Sequence, residues 1–312
     1  MNVVPVVFAF DNNIVMPACV CITSLLENAH AETFYDIYIL HANDVSLDKT
    51  HLERIATKYS NCSITYRVVD DTFKKAFEIR HVTIATYYRL LLSQLLPQYD
   101  KVIYSDVDII FRMDLSDLYQ QNMSEYYIAA TLDLGLNYLD PSYVRKHNDL
   151  EIGKYVQAGF VVFNLKKIRE DNVTSIFVEH ALKHKYIYQD QDILNICCRE
   201  KIKYLPPCYN VNDCSFLALR EYKMLGGIYS PEQCNYARCC GNIHYSGKKP
   251  WKENCIFMDV WWEYYRKSVV YDVDNHFDFF FRLSFYLDTL SLRTRIKNLL
   301  KYFVYGKSKG LR

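Results

Sequence analysis

The chain has almost no net charge. Its 312 residues carry 37 Lys and Arg against 36 Asp and Glu, a formal +1. That balance excludes a surface built throughout to coat nucleic acid. Long apolar runs are missing too: no stretch approaches the roughly 18 apolar residues of a membrane-spanning helix. Residues 1–10 are apolar but have no basic flank and run straight into Asp11-Asn12-Asn13, so they do not read as a signal peptide. Internal repeats and low-complexity tracts are also absent. Eleven cysteines, an odd number without a secretory leader, are expected to be reduced thiols of a cytosolic protein. A zinc site from Cys234, Cys239, Cys240 and His244 is the competing use, and its spacing matches no usual paired pattern. What is present is ordinary for a globule, with 50% hydrophobic and 23% charged residues. The length suits one large domain or two modest ones. Such a chain buries roughly three quarters of its unfolded surface, so folding alone requires neither disulfides nor metal. Tyrosine is abundant at 28, which suits surfaces that meet sugars or interfaces.

Residues 3–10 predict a buried strand. Residues 16–27 have helical spacing, with Pro17 in the favoured first turn. Further strands are predicted at 35–41, 63–69 and 101–104. Helices are predicted at 47–59 and, after 73–78, at 86–95. Strands alternating with helices predict parallel βαβ units. Ligands of such sheets sit beyond the carboxyl ends of the strands, where Asp11 and Asp106 both fall. In the second half, 127–132 and 159–165 read as strands and 193–198 as helical. Pro206-Pro207 breaks the chain before an irregular, Cys-rich segment, and 245–251 is a loop rich in Gly, Lys and Pro.

Asp106-Val107-Asp108 follows the strand at 101–104 directly. Two carboxylates two residues apart can turn toward one divalent cation, and the cation can bridge a diphosphate. Hard oxygen ligands suit Mg²⁺ or Mn²⁺, and an added imidazole favours Mn²⁺. Alone, the triplet also fits a solvated acidic loop, and Asp70-Asp71 and Asp190-Gln191-Asp192 show how readily acids cluster here. The segment His244-Tyr245-Ser246-Gly247-Lys248-Lys249-Pro250-Trp251 supplies what the triplet lacks. His244 completes a ligand set, Gly247 lets backbone approach phosphate, and Lys249 offers it a point charge.

Four stretches taken together, VFAFDNN (7–13), YSDVDIIF (104–111), YQDQDILN (188–195) and HYSGKKPW (244–251), resemble glycosyltransferase family 8. The similarity is strongest to its bacterial lipooligosaccharide α-1,4-galactosyltransferase branch. Lesser matches are IATYYRL (84–90) and QAGFVVFNLKK (157–167). The resemblance implies an α/β GT-A fold, a single Rossmann-like nucleotide-sugar-binding domain with a mixed central sheet, over residues 1–265. It implies a UDP-galactose or UDP-glucose donor, Mn²⁺ with Mg²⁺ as the substitute, a glycan or glycolipid acceptor, and retention to give an α-linkage. Asp106, Asp108 and His244 match the metal-binding positions, with Val107 between them in the donor-binding turn. Ala9, Asp11 and Asn13 match the wall that receives uracil and ribose. Arg89, Asp133, Gln157, Asp190 and Gln191 match positions near the donor sugar, and Gly247 and Lys249 the diphosphate loop. Gln157 stands where the family usually has Asn, and Ser246 replaces a Cys of the closest branch.

Asp190 and Gln191 are the catalytic candidates. A double displacement needs a carboxylate nucleophile close to the anomeric carbon. The matching residue is Gln191, an amide, so a same-face dissociative substitution is expected, with Asp190 accepting a sugar hydroxyl. Other activities compatible with the residues are glycogenin-like self-glucosylation, nucleotidyl transfer, and non-catalytic nucleotide-sugar binding.

Acid is absent from residue 289 onward. That stretch holds Arg293, Arg295, Lys297, Lys301, Lys307, Lys309 and Arg312, with Leu292, Ile296, Leu299, Leu300 and Phe303 at helical spacing. A basic amphipathic helix reads as membrane-surface binding. A helix docked on the protein itself and a disordered basic end fit the same residues. Residues 266–312 are thus expected to be a helical, basic, membrane-associating tail, its apolar stretch 277–287 anchoring or packing on the domain. The expected location is cytoplasmic, peripheral on the inner face of the cell membrane. No nucleic acid partner is expected.

Overall fold

Residues of the first strand alternate between two destinations. Val4, Val6 and Phe8 enter one apolar cluster, and Val7 enters another on the opposite side. A strand's period of two makes this split, and burial of both faces explains why the strand reads as one apolar run. The computed structural model describes residues 2–43, 47–78 and 84–305, with backbone alone for 301–305. Its strands are β1 (Asn2–Ala9), β2 (Thr33–Ala42), β3 (Cys62–Val69), β4 (Lys101–Ser105), β5 (Ile109–Ile110), β6 (Ile128–Leu132), β7 (Val156–Asn164), β8 (Ile202–Tyr204) and β9 (Ile243–His244). Seven of them form one sheet in the order β3-β2-β1-β4-β7-β6-β8, and β5 pairs separately with β9.

The parallel expectation describes the first half: β2 runs parallel to β1 and β3, and β4 parallel to β1. In the second half it gives way. β7 runs antiparallel to both β4 and β6, although β8 is parallel to β6. The sheet is therefore mixed. The reversal has a positional result: an antiparallel strand brings its beginning to its neighbour's end. Ser105 of β4 lies opposite Phe160 of β7, so Gln157, Ala158 and Gly159 sit beside the acidic triplet.

Several boundaries shift for similar reasons. β7 begins at Val156 rather than 159, and the helix predicted at 193–198 is Gln189–Cys197. Among the added residues, the polar Gln157, Gln189, Asp190 and Gln191 line the cleft and interrupt the apolar pattern. The helix predicted at 47–59 is Thr50–Lys58. The one predicted at 86–95 is a 3₁₀ segment, Ile84–Leu91, that ends in one α turn, Leu92–Leu95. Three residues per turn stack positions i and i+3, which puts Thr86 and Arg89 on one face.

A third apolar cluster supports β5 and β9 from below. It joins Ile110 and Ile243 to Trp261, Trp262 and Tyr265 of the helix Met258–Lys267. The expected domain boundary at 265/266 falls inside this helix. The helix Val273–Thr289 docks on the cluster through Phe279, whose ring centroid lies 4.6 Å from that of Trp262. Phe277, Phe281 and Phe285 on that helix stay 60–67% exposed. The last described helix, Leu292–Tyr305, also exposes Leu292, Ile296, Leu299 and Leu300. Lys307, Lys309 and Arg312 lie outside the described residues. No described helix is long and apolar enough to cross a membrane.

Candidate active site

The end of β4 and the start of β7 build the floor of the site. Asp106 follows β4, and its backbone N–H donates to the Gly159 carbonyl at 2.8 Å. After the turn, β5 pairs antiparallel with β9 so that Ile109 faces His244. The Tyr245 N–H donates to the Asp108 carbonyl at 2.9 Å and extends this ladder. Register therefore sets the imidazole against the triplet, far apart as they are in sequence. His244 Nε2 lies 3.2 Å from Asp108 Oδ1 and 3.8 Å from Asp106 Oδ2. Gly159 leaves the room for this. A Cβ built there would overlap His244 Cε1 and come within 3.0 Å of Asp106 Oδ2.

Ligand atoms of Asp106, Asp108 and His244 all lie within 4.8 Å of one another. Among the described residues no other such group of three appears. Cys234 is buried in the helix Pro231–Cys240, while Cys239 and Cys240 are exposed at its end, so the zinc alternative is not assembled. Asp108 Oδ1 is buried and takes no hydrogen bond although it faces the imidazole. Burial alone would push the Asp108 carboxyl up, but the positive charge of His244 in its protonated form, and of Lys249, holds it well below the usual carboxylate range. Lys249 Nζ lies 2.6 Å from Asp108 Oδ2 and donates to the Tyr245 carbonyl at 2.6 Å. Two carboxylates, an imidazole nitrogen and an oxygen without a donor fit a hard divalent cation.

Arg89 ties this floor to the opposite wall. The guanidinium is buried over the Tyr104 ring, 4.0 Å from its centroid. Nη2 reaches Asp106 Oδ1 at 2.8 Å, Nε reaches Asp190 Oδ2 at 3.1 Å, and Nη1 donates to the Ala158 carbonyl. Thr86, one 3₁₀ turn before Arg89, donates its hydroxyl to Asp190 Oδ1 at 2.6 Å. Gln191 Oε1 accepts from the Ala158 N–H at 3.0 Å, and its amide donates to Asp133 Oδ2 at 3.2 Å. Burial pushes the carboxyls of both Asp133 and Asp190 upward, in the latter against the lowering effect of Arg89. Gln157 is buried beside them with Oε1 unpartnered.

The helix Gln189–Cys197 is fixed by its own side chains. Buried Asp192 accepts from the hydroxyls of Tyr143 at 2.5 Å and Tyr155 at 2.6 Å and from the Tyr188 N–H at 2.9 Å. Asn195 bonds Val156 in both directions, at 2.7 and 2.8 Å, and so clamps the start of β7. Gln189 adopts a left-handed φ of 39°, and its amide donates to the Phe77 carbonyl at 2.9 Å. That strained turn aims Asp190 and Gln191 into the cleft.

Both walls line one cleft of about 660 Å³, with Asp106, Asp108, His244, Lys249, Asp190 and Gln191 around it. Arg89, Asp133 and Gln157 line it as well. Val107 turns its side chain into the apolar cluster with Phe8 and Phe10. Gly247 lies on the loop beyond His244, with Asp213 Oδ2 3.6 Å from where its Cβ would be. Ala9, Asp11 and Asn13 are not part of the cleft lining. They sit at the end of β1, where Asp11 Oδ1 accepts from the Asn13 N–H at 2.9 Å.

Several contributors escaped the sequence reading. Thr86 was findable from its three-residue spacing to Arg89. Asn212 is a helix N-cap that accepts from the Ser215 N–H at 2.7 Å, and it also donates to Ser246 Oγ at 3.2 Å. Its position before Asp213 is an ordinary capping signal. Gly159 and Asn210 carry no such signal.

Residues 5–255 match glycosyl transferase family 8. The chain belongs to that family. A putative glycosyltransferase of Haemophilus influenzae is 27% identical over 298 residues, which are 94% of this chain and 88% of that one. A lipopolysaccharide 1,2-glucosyltransferase of Escherichia coli is 27% identical, over 79% of this chain and 72% of its own length. Among solved structures, the galactosyltransferase LgtC in complex with donor and acceptor sugar analogs superposes with a TM-score of 0.68. It is 26% identical, over 85% of this chain and 96% of that chain. The bifunctional glycosyltransferase WbbM gives a TM-score of 0.71 at 26% identity, over 88% of this chain. This family 8 chain spans about half of WbbM, 51%. The fold of the family 8 chain is thus the expected GT-A fold, and the protein is a glycosyltransferase.

Proposed function

We propose that this protein is a retaining, Mn²⁺-dependent hexosyltransferase. It moves galactose or glucose from a UDP-sugar to a lipooligosaccharide, a lipopolysaccharide or another cell-surface glycan, forming an α-linkage. The observation that carries this reading is the meeting of Asp106, Asp108 and His244 with Asp190 and Gln191 in one cleft. The relatives named above, one a glucosyltransferase and one a galactosyltransferase, support both sugars.

Asp106, Asp108 and His244 would hold the cation, which when bound supplies Lewis-acid neutralisation of the diphosphate. Lys249, beside Asp108, adds fixed positive charge for the same leaving group. The Asp190 carboxylate is more than nine-tenths buried and held by Arg89 and Thr86, which suits a sugar-hydroxyl acceptor and not a free nucleophile. Gln191 keeps one lone pair of its carbonyl oxygen for oxocarbenium-like charge. In the same-face route the bond from the anomeric carbon to the UDP oxygen breaks, and the acceptor oxygen bonds to that carbon from the same side. The acceptor proton passes to the departing β-phosphate oxygen. A covalent glycosyl adduct on Asp190 or Gln191, seen by mass spectrometry, would overturn this route.

Residues 266–312 are assigned to an anionic membrane, which puts the enzyme on the inner face of the cell membrane. Basic residues on Leu292–Tyr305 and the exposed rings of Phe277, Phe281 and Phe285 support this. The test of function is a UDP-release screen across UDP-sugars, with Mn²⁺ or with EDTA, and with or without candidate acceptors. UDP-galactose or UDP-glucose should turn over with Mn²⁺ and not in EDTA. Pyrophosphate as the product would identify a nucleotidyltransferase, and no turnover of any donor would leave a binding protein.

A further inference from the structure

His244 is fixed at more points than its place in a short strand requires. Its backbone N–H donates to the Val211 carbonyl at 3.0 Å, and Val211 bridges to Ile243. One edge of its ring faces Gly159, where only a missing side chain leaves space. Nδ1, on that same edge, meets Asn210 Oδ1 at 2.9 Å, with both residues buried.

We propose that Asn210 is a positioning residue for the cation site: it holds His244 with Nδ1 protonated and Nε2 bare toward Asp106 and Asp108. This rests on the cation reading above. A neutral imidazole has one N–H and one lone-pair nitrogen, and the partner of one nitrogen decides which is which. An amide oxygen only accepts, so Nδ1 is the donor. The Nε2 lone pair then points at two carboxylates, 3.2 and 3.8 Å away. Three electron-rich groups converging in this way repel one another and are complementary to a cation. Outer partners of this kind set both the direction and the basicity of a histidine ligand.

Asn210 is a poor choice for any other purpose. Its residue is 1% exposed, and its side-chain nitrogen has no hydrogen-bond partner. A buried donor left unpaired is destabilising, and an apolar residue of the same shape would avoid it. The gain from the asparagine therefore lies on its oxygen side, at His244.

The experiment is Mn²⁺ binding by the full chain, without nucleotide, measured by calorimetry. Four proteins are compared: wild type, Asn210→Leu, His244→Ala, and the double variant. Melting in EDTA checks that each is folded, and Asn210→Ala replaces the leucine variant if that one is not. Asn210→Leu should weaken Mn²⁺ binding roughly 10–100-fold. In the His244→Ala background the same change should have no further effect. Wild-type affinity in Asn210→Leu overturns the proposal, and so does an equal loss in both backgrounds, which would mark a merely structural role. Wild-type affinity in His244→Ala would instead overturn the cation reading itself.

Discussion

Asp106 leans on Arg89 and Asp108 on Lys249, so the acids of one triplet are answered from opposite walls of the cleft. On the proposed reading, neither lysine nor arginine can stand in for a cation that Asp106, Asp108 and His244 would share. Asp106→Ala or Asp108→Ala should therefore cost metal-dependent transfer several kcal/mol of charge stabilisation, roughly 10³-fold in turnover or more. Melting should show an intact fold, and near-wild-type turnover of either variant in Mn²⁺ would refute the ligand assignment. Gly159→Ala tests the cradle from the other side. Its new methyl has no space at His244 Cε1, so the imidazole or β7 must move. Overpacking of this kind destabilises by about 1–3 kcal/mol. Denaturant titration should find that loss together with weaker Mn²⁺ binding, and a variant unchanged in both would contradict the packing described. At this scale the sequence was legible where chemistry dictates residue type. Two acids and a histidine have to look like ligands. Gly159 acts by having no side chain and Asn210 by holding another residue, and neither use leaves a pattern in a single chain.

Elements, more than residues, explain why the site closes. The β5–β9 ladder is only two residues long on each strand, yet its register alone brings His244 to Asp108. The helix Gln189–Cys197 needs its own anchor because its first turn is given over to Asp190 and Gln191. Asp192 is that anchor. Asp192→Ala should strand the buried Tyr155 hydroxyl and the half-buried one of Tyr143, and cost about 1–3 kcal/mol. Urea unfolding checks the stability, and a loss much below 1 kcal/mol would show that Tyr143 and Tyr155 find other partners. Apolar runs made β1, β2 and β4 readable, since strands buried on both faces are largely apolar; β3, part-exposed at the sheet edge, was readable from its β-branched and aromatic residues. The start of β7 and the start of the 189–197 helix were not readable. Gln157 in the one and Gln189, Asp190 and Gln191 in the other serve the cleft, and their polarity interrupts the apolar pattern. The 3₁₀ winding of 84–91 was hidden for another reason: over a stretch that short, the apolar spacing of α and 3₁₀ helices is nearly the same.

The whole molecule divides its charge. The seven basic residues after 289 leave 30 basic and 36 acidic residues in the remainder, a formal −6. Anionic lipid should therefore attract one end of the protein and not the other. Deletion from Thr289 onward should release the protein from anionic liposomes in a flotation assay and leave donor hydrolysis unchanged. Added salt should weaken liposome binding of the full chain, since exposed charges are screened. Equal binding of the truncated and full chains would remove the tail from this role. The aromatic cluster that seats the helix Val273–Thr289 also underlies β5 and β9, so anchor and site share one support. The same ladder also fixes when in the life of the chain activity can begin. Synthesis proceeds from the N-terminus at roughly 5–20 residues per second, and a domain folds as a unit. A nascent chain that ends before β9 already contains the residues of the seven-stranded sheet and both acids, but neither His244 nor Lys249. Capacity to turn over a nucleotide sugar thus comes late, just before the tail that would carry it to a surface is made.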